Sequence, residues 1–115
     1  MERLIKNCSW EIAIILCIRD CGGDLVDLQR IYQTLERYRD LTKEDQEIIY
    51  GQPRYTHFVR SNLAKLKKWG IAEQKGRGMY CLTPLGEKLM PLIEKGISIE
   101  RIYTALREER KNEKG

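Results

Sequence analysis

Residues 51–90 have the sequence GQPRYTHFVRSNLAKLKKWGIAEQKGRGMYCLTPLGEKLM, which predicts a helix, a two-stranded hairpin and a second helix. Its first part predicts a helix over residues 53–69, because Pro53 suits a first helical position and Gly70 suits the residue just past the end. Helical spacing brings four apolar side chains onto one stripe: Tyr55, Val59, Leu63 and Leu66. We expect this stripe to face a hydrophobic core.

The opposite side of this predicted helix is basic. It carries Arg54, His57, Ser61, Lys65 and Lys68, and it is flanked by Arg60 and Lys67. A solvated helix face usually mixes both signs of charge, whereas this one has five Lys or Arg residues and no acidic residue. Because like charges repel, such a bias is destabilising unless an anion binds to it.

Beyond this helix the pattern changes from helical to alternating, which predicts short strands over residues 71–74 and 79–83. The Lys-Gly-Arg-Gly connection at 75–78 has the glycines that a tight turn needs. A helix with a one-sided basic face, followed by a hairpin with Lys75 and Arg77 at its tip, is the layout of a winged helix-turn-helix. In that layout the helix enters a major groove, and the hairpin reaches a neighbouring phosphate or minor groove. The predicted fold class is mainly α with a small β-hairpin wing.

Two helices are predicted before this stretch. Ser9 suits the N-cap of a helix over residues 10–21, and Asp27 suits the N-cap of a second helix. The second helix has apolar residues at helical spacing: Leu28, Ile31, Leu35 and Tyr38. Between the two helices, residues 25–26 predict a short third strand.

Two more helices are predicted at the edges of the stretch. Thr42 and Asp45 resemble a capping box, which predicts a short helix that ends near Tyr50. Thr83 as the N-cap and Pro84 at the first helical position predict a helix that ends at about residue 96.

Ser98 suits the N-cap of a last helix, which has an apolar stripe on an otherwise charged segment: Ile99, Ile102, Tyr103 and Leu106. A terminal amphipathic helix either closes its own domain or pairs with the same helix of a second chain. We favour pairing, because small DNA-binding domains gain affinity when a dimer binds two half-sites at once. We therefore expect a homodimer, with a winged domain over residues 1–96 and a dimerisation helix and charged tail over residues 97–115.

The charge of the chain is distributed unevenly. The formal net charge of the 115 residues is +4. Residues 1–50 have 7 basic and 10 acidic side chains, whereas residues 51–115 have 14 basic and 7 acidic ones. One face or end is therefore expected to be strongly positive, as a polyanionic partner would favour. A chain of this length is expected to form one domain with a single core.

No stretch approaches the roughly 18 consecutive apolar residues that span a bilayer, and the N-terminus lacks the layout of a signal peptide. We therefore expect a cytoplasmic protein. Of the four cysteines, Cys17 and Cys21 are one helical turn apart and could share a metal with His57. However, the sequence has no Cys-x-x-Cys pair, and small buried thiols are common in a reducing cytosol. We expect no metal and no cofactor.

The residues also resemble a known family. The run PRYTHFVRSNLAKLKKWGIAEQKGRGMYCLTPLGEKL is similar to the N-terminal winged-helix domain of Mrr restriction-system proteins. In that family a Pro-Arg-aromatic opening, a Leu-Lys-Lys segment, a Gly-Arg-Gly wing and a Leu-Thr-x-x-Gly close occur in this order. The resemblance covers about residues 10–95. The family domain is regarded as DNA-binding, so the resemblance implies contacts with double-stranded DNA from Arg54, Arg60, Ser61, Lys65, Lys68, Lys75 and Arg77.

The chain departs from this family in one respect. Full-length Mrr proteins carry a nuclease domain, whose metal site needs an Asp and a Glu-x-Lys motif on adjacent strands. Here the Glu-x-Lys motif at 73–75 lies in the predicted wing, and no Asp follows Asp45. We therefore expect no enzymatic activity.

Three functions stay open at this stage. The favoured one is a stand-alone DNA-binding domain that acts as a transcription regulator or as the targeting part of a restriction or mobile-element system. The second is a winged helix that binds an acidic protein partner through its basic face. The third is a catalytic module or a nuclease remnant. Salt-dependent binding to duplex DNA separates the first two, and metal-dependent nicking would favour the third.

Overall fold

The computed structural model describes residues 8–114 and is mainly helical, with two small antiparallel sheets. Its helices are α1 (Trp10–Asp20), α2 (Leu28–Thr34), α3 (Arg54–Lys68), α4 (Pro84–Glu94) and α5 (Ile99–Lys114), with a short 3-10 helix at Leu35–Arg37. Its strands are β1 (Val26–Asp27), β2 (Ile48–Ile49), β3 (Gln52–Pro53), β4 (Ala72–Gly76) and β5 (Met79–Leu82). Among the described helices, none is long and apolar enough to cross a membrane. The predicted combination of helices with a small β-hairpin is confirmed.

The larger sheet has the strand order β1-β5-β4, and its edge strand β4 packs beside α3. Both pairings are antiparallel, and Tyr80 on β5 lies opposite Val26 on one side and Gln74 on the other. The register shifts between Gln74 and Gly76, where the hairpin begins to turn. The short third strand predicted from the sequence is confirmed, one residue later in the chain than expected.

α1 forms the centre of the core, because its residues from Ile12 to Ile18 are all buried. A helix that is hydrophobic on all sides has to be covered on all sides. The neighbouring elements cover it with buried side chains that include Val26, Ile31, Leu35, Val59, Leu63, Leu66, Ile71 and Ile93. At the end of α1, Arg19 donates a hydrogen bond to the Glu94 carboxylate at 2.7 Å, which attaches α1 to α4.

The predicted N-caps of α1, α2 and α4 are confirmed. Their side-chain oxygens accept hydrogen bonds from backbone N–H groups at the start of each helix, at 3.2 Å for Ser9, 2.7 Å for Asp27 and 3.1 Å for Thr83. In α4 the backbone at Gly86 lies unusually close to the backbone of Ile71. A Cβ added at Gly86 would lie 2.3 Å from the Ile71 carbonyl oxygen. Glycine is therefore needed where α4 crosses the start of the β4–β5 hairpin.

The short helix predicted between Thr42 and Tyr50 is wrong. Thr42 and Asp45 do exchange the reciprocal hydrogen bonds of a capping box, at 3.0 and 3.1 Å, but the chain then forms the β2–β3 hairpin. The turn residues Tyr50 and Gly51 have φ values of 52° and 82°, with which a right-handed helix cannot continue. The β-branched pair Ile48-Ile49 also favours an extended strand before the turn.

The apolar stripe of α5 is buried in the chain's own core. Ile99 and Ile102 are 3% exposed and Leu106 is 8% exposed, while Tyr103 is half-buried against Trp69 at the end of α3. The assignment of this stripe to a dimer interface is therefore wrong, and closure of the chain's own core is confirmed. An amphipathic pattern shows that a helix buries one face, but it does not show which element covers that face.

Candidate nucleic-acid interface

α3 presents two unlike faces. Its buried face packs against α1 through Val59, Leu63 and Leu66. The exposed side of its C-terminal half carries residues that we call the basic face: Arg60, Ser61, Lys65, Lys67 and Lys68. Because burial fixes which side of the helix turns inward, these charged side chains are held in solvent.

The basic face has no carboxylate partner among the described residues. The ion pairs within residues 8–114 lie elsewhere, and none involves a basic residue of α3. The excess of basic over acidic residues on this face has a partial structural explanation. Lys65, Lys67 and Lys68 lie in the last turn of α3, where the negative end of the helix dipole favours cations. Arg60 lies before that turn, so this explanation does not cover it. The face therefore presents uncompensated positive charge to solvent.

The β4–β5 hairpin, which we call the wing, extends this basic surface. Lys75 near the end of β4 and Arg77 in the turn are both exposed. The Lys75 ammonium lies 3.5 Å from the Glu73 carboxylate, and an exposed pair of this kind contributes little and breaks readily. Lys67 Nζ donates a hydrogen bond to Oε1 of Gln74 on β4 at 2.8 Å. This bond joins α3 to the wing, so the two basic elements lie side by side.

The two predicted site residues in the first half of α3 have other partners. His57 is half-buried, and its Nε2 donates a hydrogen bond to the carbonyl oxygen of Ile49 at 2.8 Å. Arg54 is half-buried at the first position of α3, with its guanidinium carbon 5.6 Å from the centre of the Phe58 ring. Of the nine predicted site residues, seven are thus exposed on the basic face and the wing. His57 and Arg54 lie at the border with the β2–β3 hairpin.

No family model matches the chain, and no curated protein or solved structure matches it. The chemistry of the exposed groups is therefore the ground for assigning a function. Guanidinium and ammonium groups bind phosphate oxygens, and the hydroxyl of Ser61, in the middle of the basic face, suits a hydrogen bond to a base edge. This arrangement is suited to binding a polyanion.

The candidate metal ligands Cys17, Cys21 and His57 do not come together among the described residues 8–114. Within the part of the chain that the structure describes, no three His, Cys, Asp or Glu residues lie where they could hold a metal ion together. All four cysteines are free thiols. Burial in α1 raises the pKa of Cys17 to about 12, so this thiol stays protonated and unreactive near neutral pH. Burial also raises the pKa of the Cys8 thiol.

Two residues beside the basic face were missed from the sequence. Gln74 holds Lys67 in place, but the two belong to different elements, and no spacing rule predicts a bond between them. Tyr50 lies with its ring edge-on to that of His57, at a centroid distance of 6.3 Å. The glycine that follows Tyr50 is a hairpin-turn signal, and it was available in the sequence.

Proposed function

We propose that this protein binds double-stranded DNA through the basic face and the wing, in the manner of a winged helix-turn-helix. The observation that carries the proposal is that seven of the predicted contact residues are exposed on α3 and the wing. Glu73, whose carboxylate lies 3.5 Å from the Lys75 ammonium, is an acidic side chain on this surface. An α-helix fits the major groove, and a hairpin beside it suits a phosphate or the minor groove. The strand order β1-β5-β4 and the position of the wing beside α3 support this docking.

The proposed contacts divide by chemistry. Ser61 and Lys65 suit base edges, because they lie toward the middle of the exposed face of α3. Arg60 at the flank suits a phosphate, and Arg77 at the wing suits a phosphate or a narrow minor groove. Lys67, held by Gln74, suits a phosphate close to the junction of helix and wing.

In this proposal the protein acts in the cytoplasm as a transcription regulator or as the DNA-targeting part of a restriction or mobile-element system. Each chain presents one DNA-binding surface. No pairing through α5 is required, since the apolar stripe of that helix is buried in the chain's own core. The resemblance to the N-terminal domain of Mrr proteins supports the same role. An acidic protein partner is the competing occupant of the basic face.

The proposal is tested by charge reversal with a matched control. Arg60→Glu with Lys65→Glu changes the basic face, and Lys88→Glu with Lys95→Glu makes the same change in net charge at exposed residues of α4 and its C-cap. Fluorescence anisotropy with a labelled random duplex at low salt measures affinity, and circular dichroism checks that both variants fold. We expect the α3 variant to bind at least about tenfold more weakly, because two charge-assisted contacts are lost.

The control variant is expected to bind within about threefold of wild type, since it changes only the long-range field. Equal losses in both variants would mean that net charge alone drives the binding. An intact affinity in the α3 variant would exclude the basic face as the DNA contact. Binding to an acidic protein without any binding to duplex would favour the competing partner.

A further inference from the structure

The β2–β3 hairpin exposes apolar side chains next to the basic face. Tyr50 is 95% exposed and Ile48 is 67% exposed, although both are large apolar residues. Residues 48–53 carry no charge. Single exposed apolar residues are common on protein surfaces, but these two lie on the same six-residue hairpin.

The backbone at Tyr50 is held in a conformation that tyrosine disfavours. Tyr50 and Gly51 are the two central residues of the hairpin turn, with φ values of 52° and 82°. Two positive φ values define the type I′ turn, in which Asn-Gly is the preferred pair. A bulky aromatic residue at the first of these positions is strained, and strained residues of this kind cluster at functional sites.

The hairpin lies in line with the basic face. His57 precedes Ser61 by four residues on α3, so the two side chains are neighbours on one side of the helix. His57 bonds to the carbonyl oxygen of Ile49 at 2.8 Å, and its ring meets that of Tyr50. The exposed Tyr50 ring therefore lies beside His57, one helical turn from Ser61 toward the start of α3. A duplex that binds the basic face and continues toward the start of α3 would meet this ring.

We propose that Tyr50 is a second DNA contact, which adds an apolar surface to the charged one; this proposal rests on the proposed function. Its ring packs against apolar atoms at the groove edge, which are the deoxyribose carbons and the thymine methyl groups. Proteins that bind single strands combine a basic groove with aromatic rings that contact the uncharged bases. On a duplex the same combination is possible at the groove edge, where cations bind phosphates and an apolar side chain contacts the thymine methyl group. The uncharged hairpin lies next to the basic face, whose cations form no ion pair with the carboxylates that the structure describes, and this matches that combination.

Tyr50→Asn separates a structural role from a binding role. Asparagine is better suited than tyrosine to the first position of this turn, so the urea midpoint of the variant is expected to equal or exceed that of wild type. Affinity for a random duplex at low salt is expected to fall at least about fivefold, because the apolar contact area of one ring is lost. Tyr50→Phe keeps the ring and is expected to bind like wild type. Leu92→Asn, which removes another exposed apolar side chain on α4, is the matched control and is also expected to bind like wild type.

Wild-type affinity in Tyr50→Asn would overturn the proposal while leaving the proposed function intact, because the wild-type chain would still bind duplex. An equal loss in Tyr50→Phe would overturn the ring contact and assign the effect to the hydroxyl. Sedimentation velocity adds a further check. A wild-type dimer that becomes a monomer in Tyr50→Asn would make the turn a protein contact and overturn the proposal. Absence of duplex binding by wild type would overturn both proposals together.

Discussion

The ring of Tyr103 on α5 stacks on the ring of Trp69 at the end of α3, with centroids 5.1 Å apart and planes inclined by 18°. The guanidinium of Arg110 lies 4.5 Å from the centre of the same Trp69 ring and donates a hydrogen bond to the Lys68 carbonyl oxygen at 3.3 Å. α5 therefore covers the C-terminal end of the helix that carries the basic face. Its contribution is to hold α3 in place, so a change that dislodges α5 is expected to destabilise the fold.

Ile102→Glu is expected to destabilise the folded chain by roughly 3–5 kcal/mol, because a carboxylate would replace a buried apolar side chain without any partner. The free energy of unfolding in urea measures the effect. Thr104→Glu adds the same charge at an exposed position of α5 and is expected to change stability by less than about 0.5 kcal/mol. A folded, equally stable Ile102→Glu protein would contradict the burial of this stripe.

Gly86→Ala is expected to destabilise the protein, although alanine is the better helix former by about 1 kcal/mol. The new Cβ would lie 2.3 Å from the Ile71 carbonyl oxygen, so backbone would have to move, at a net cost of about 1–3 kcal/mol. Urea unfolding of this variant, compared with Lys88→Ala on the exposed side of α4, measures the loss. A gain in stability would show that α4 packs less closely on the hairpin.

Stability is expected to fall at alkaline pH, partly through Tyr103. Burial, and then the Glu11 carboxylate, raise the pKa of Tyr103 above its ordinary value of about 10. The folded state therefore favours the protonated phenol, and this contribution is complete below about pH 10 and is lost as the pH rises further. Tyr103→Phe, which keeps the stack on Trp69, is expected to lose stability less steeply between about pH 10 and 11. Equal slopes in urea titrations of the two proteins would exclude the phenol as the cause.

The basic face and the wing are expected to differ in what they recognise. Ser61 lies on the helix face proposed to enter the major groove, so Ser61→Ala should change the preference among DNA sequences. Arg77 lies at the exposed wing, so Arg77→Ala should weaken binding to all sequences alike. Selection from a randomised duplex pool, followed by affinity measurements on selected and unselected sequences, distinguishes the two effects. The reverse pattern would mean that the wing reads sequence and the helix positions the protein.

The local features of the fold were predictable from the sequence. The N-caps Ser9, Asp27 and Thr83 act within a few residues of their helices, so their hydrogen bonds follow from local chemistry. The two sides of α3 were predictable for the same reason, since helical spacing alone separates Val59 and Leu63 from the basic residues.

The features that depend on distant residues were not predictable. The capping-box bonds of Thr42 and Asp45 form as expected, but the strand pairing beyond them decides that the segment is a hairpin. The stripe of α5 showed that one face is buried, while the choice between a second chain and the chain's own core depends on the distant residues that cover the stripe, such as Trp69 under Tyr103. The hydrogen bond from His57 to the β2–β3 hairpin likewise joins two elements, and the sequence of neither element predicts it.

The salt dependence of duplex binding measures how many phosphates the basic face and the wing neutralise. Anisotropy titrations of a random duplex at several salt concentrations give the slope of log K against log salt. If four to six phosphates are neutralised by the basic face and the wing, the slope is expected to be roughly −4 to −5. Absence of binding at low salt, or binding whose strength does not change with salt, would contradict the assignment of this surface to DNA.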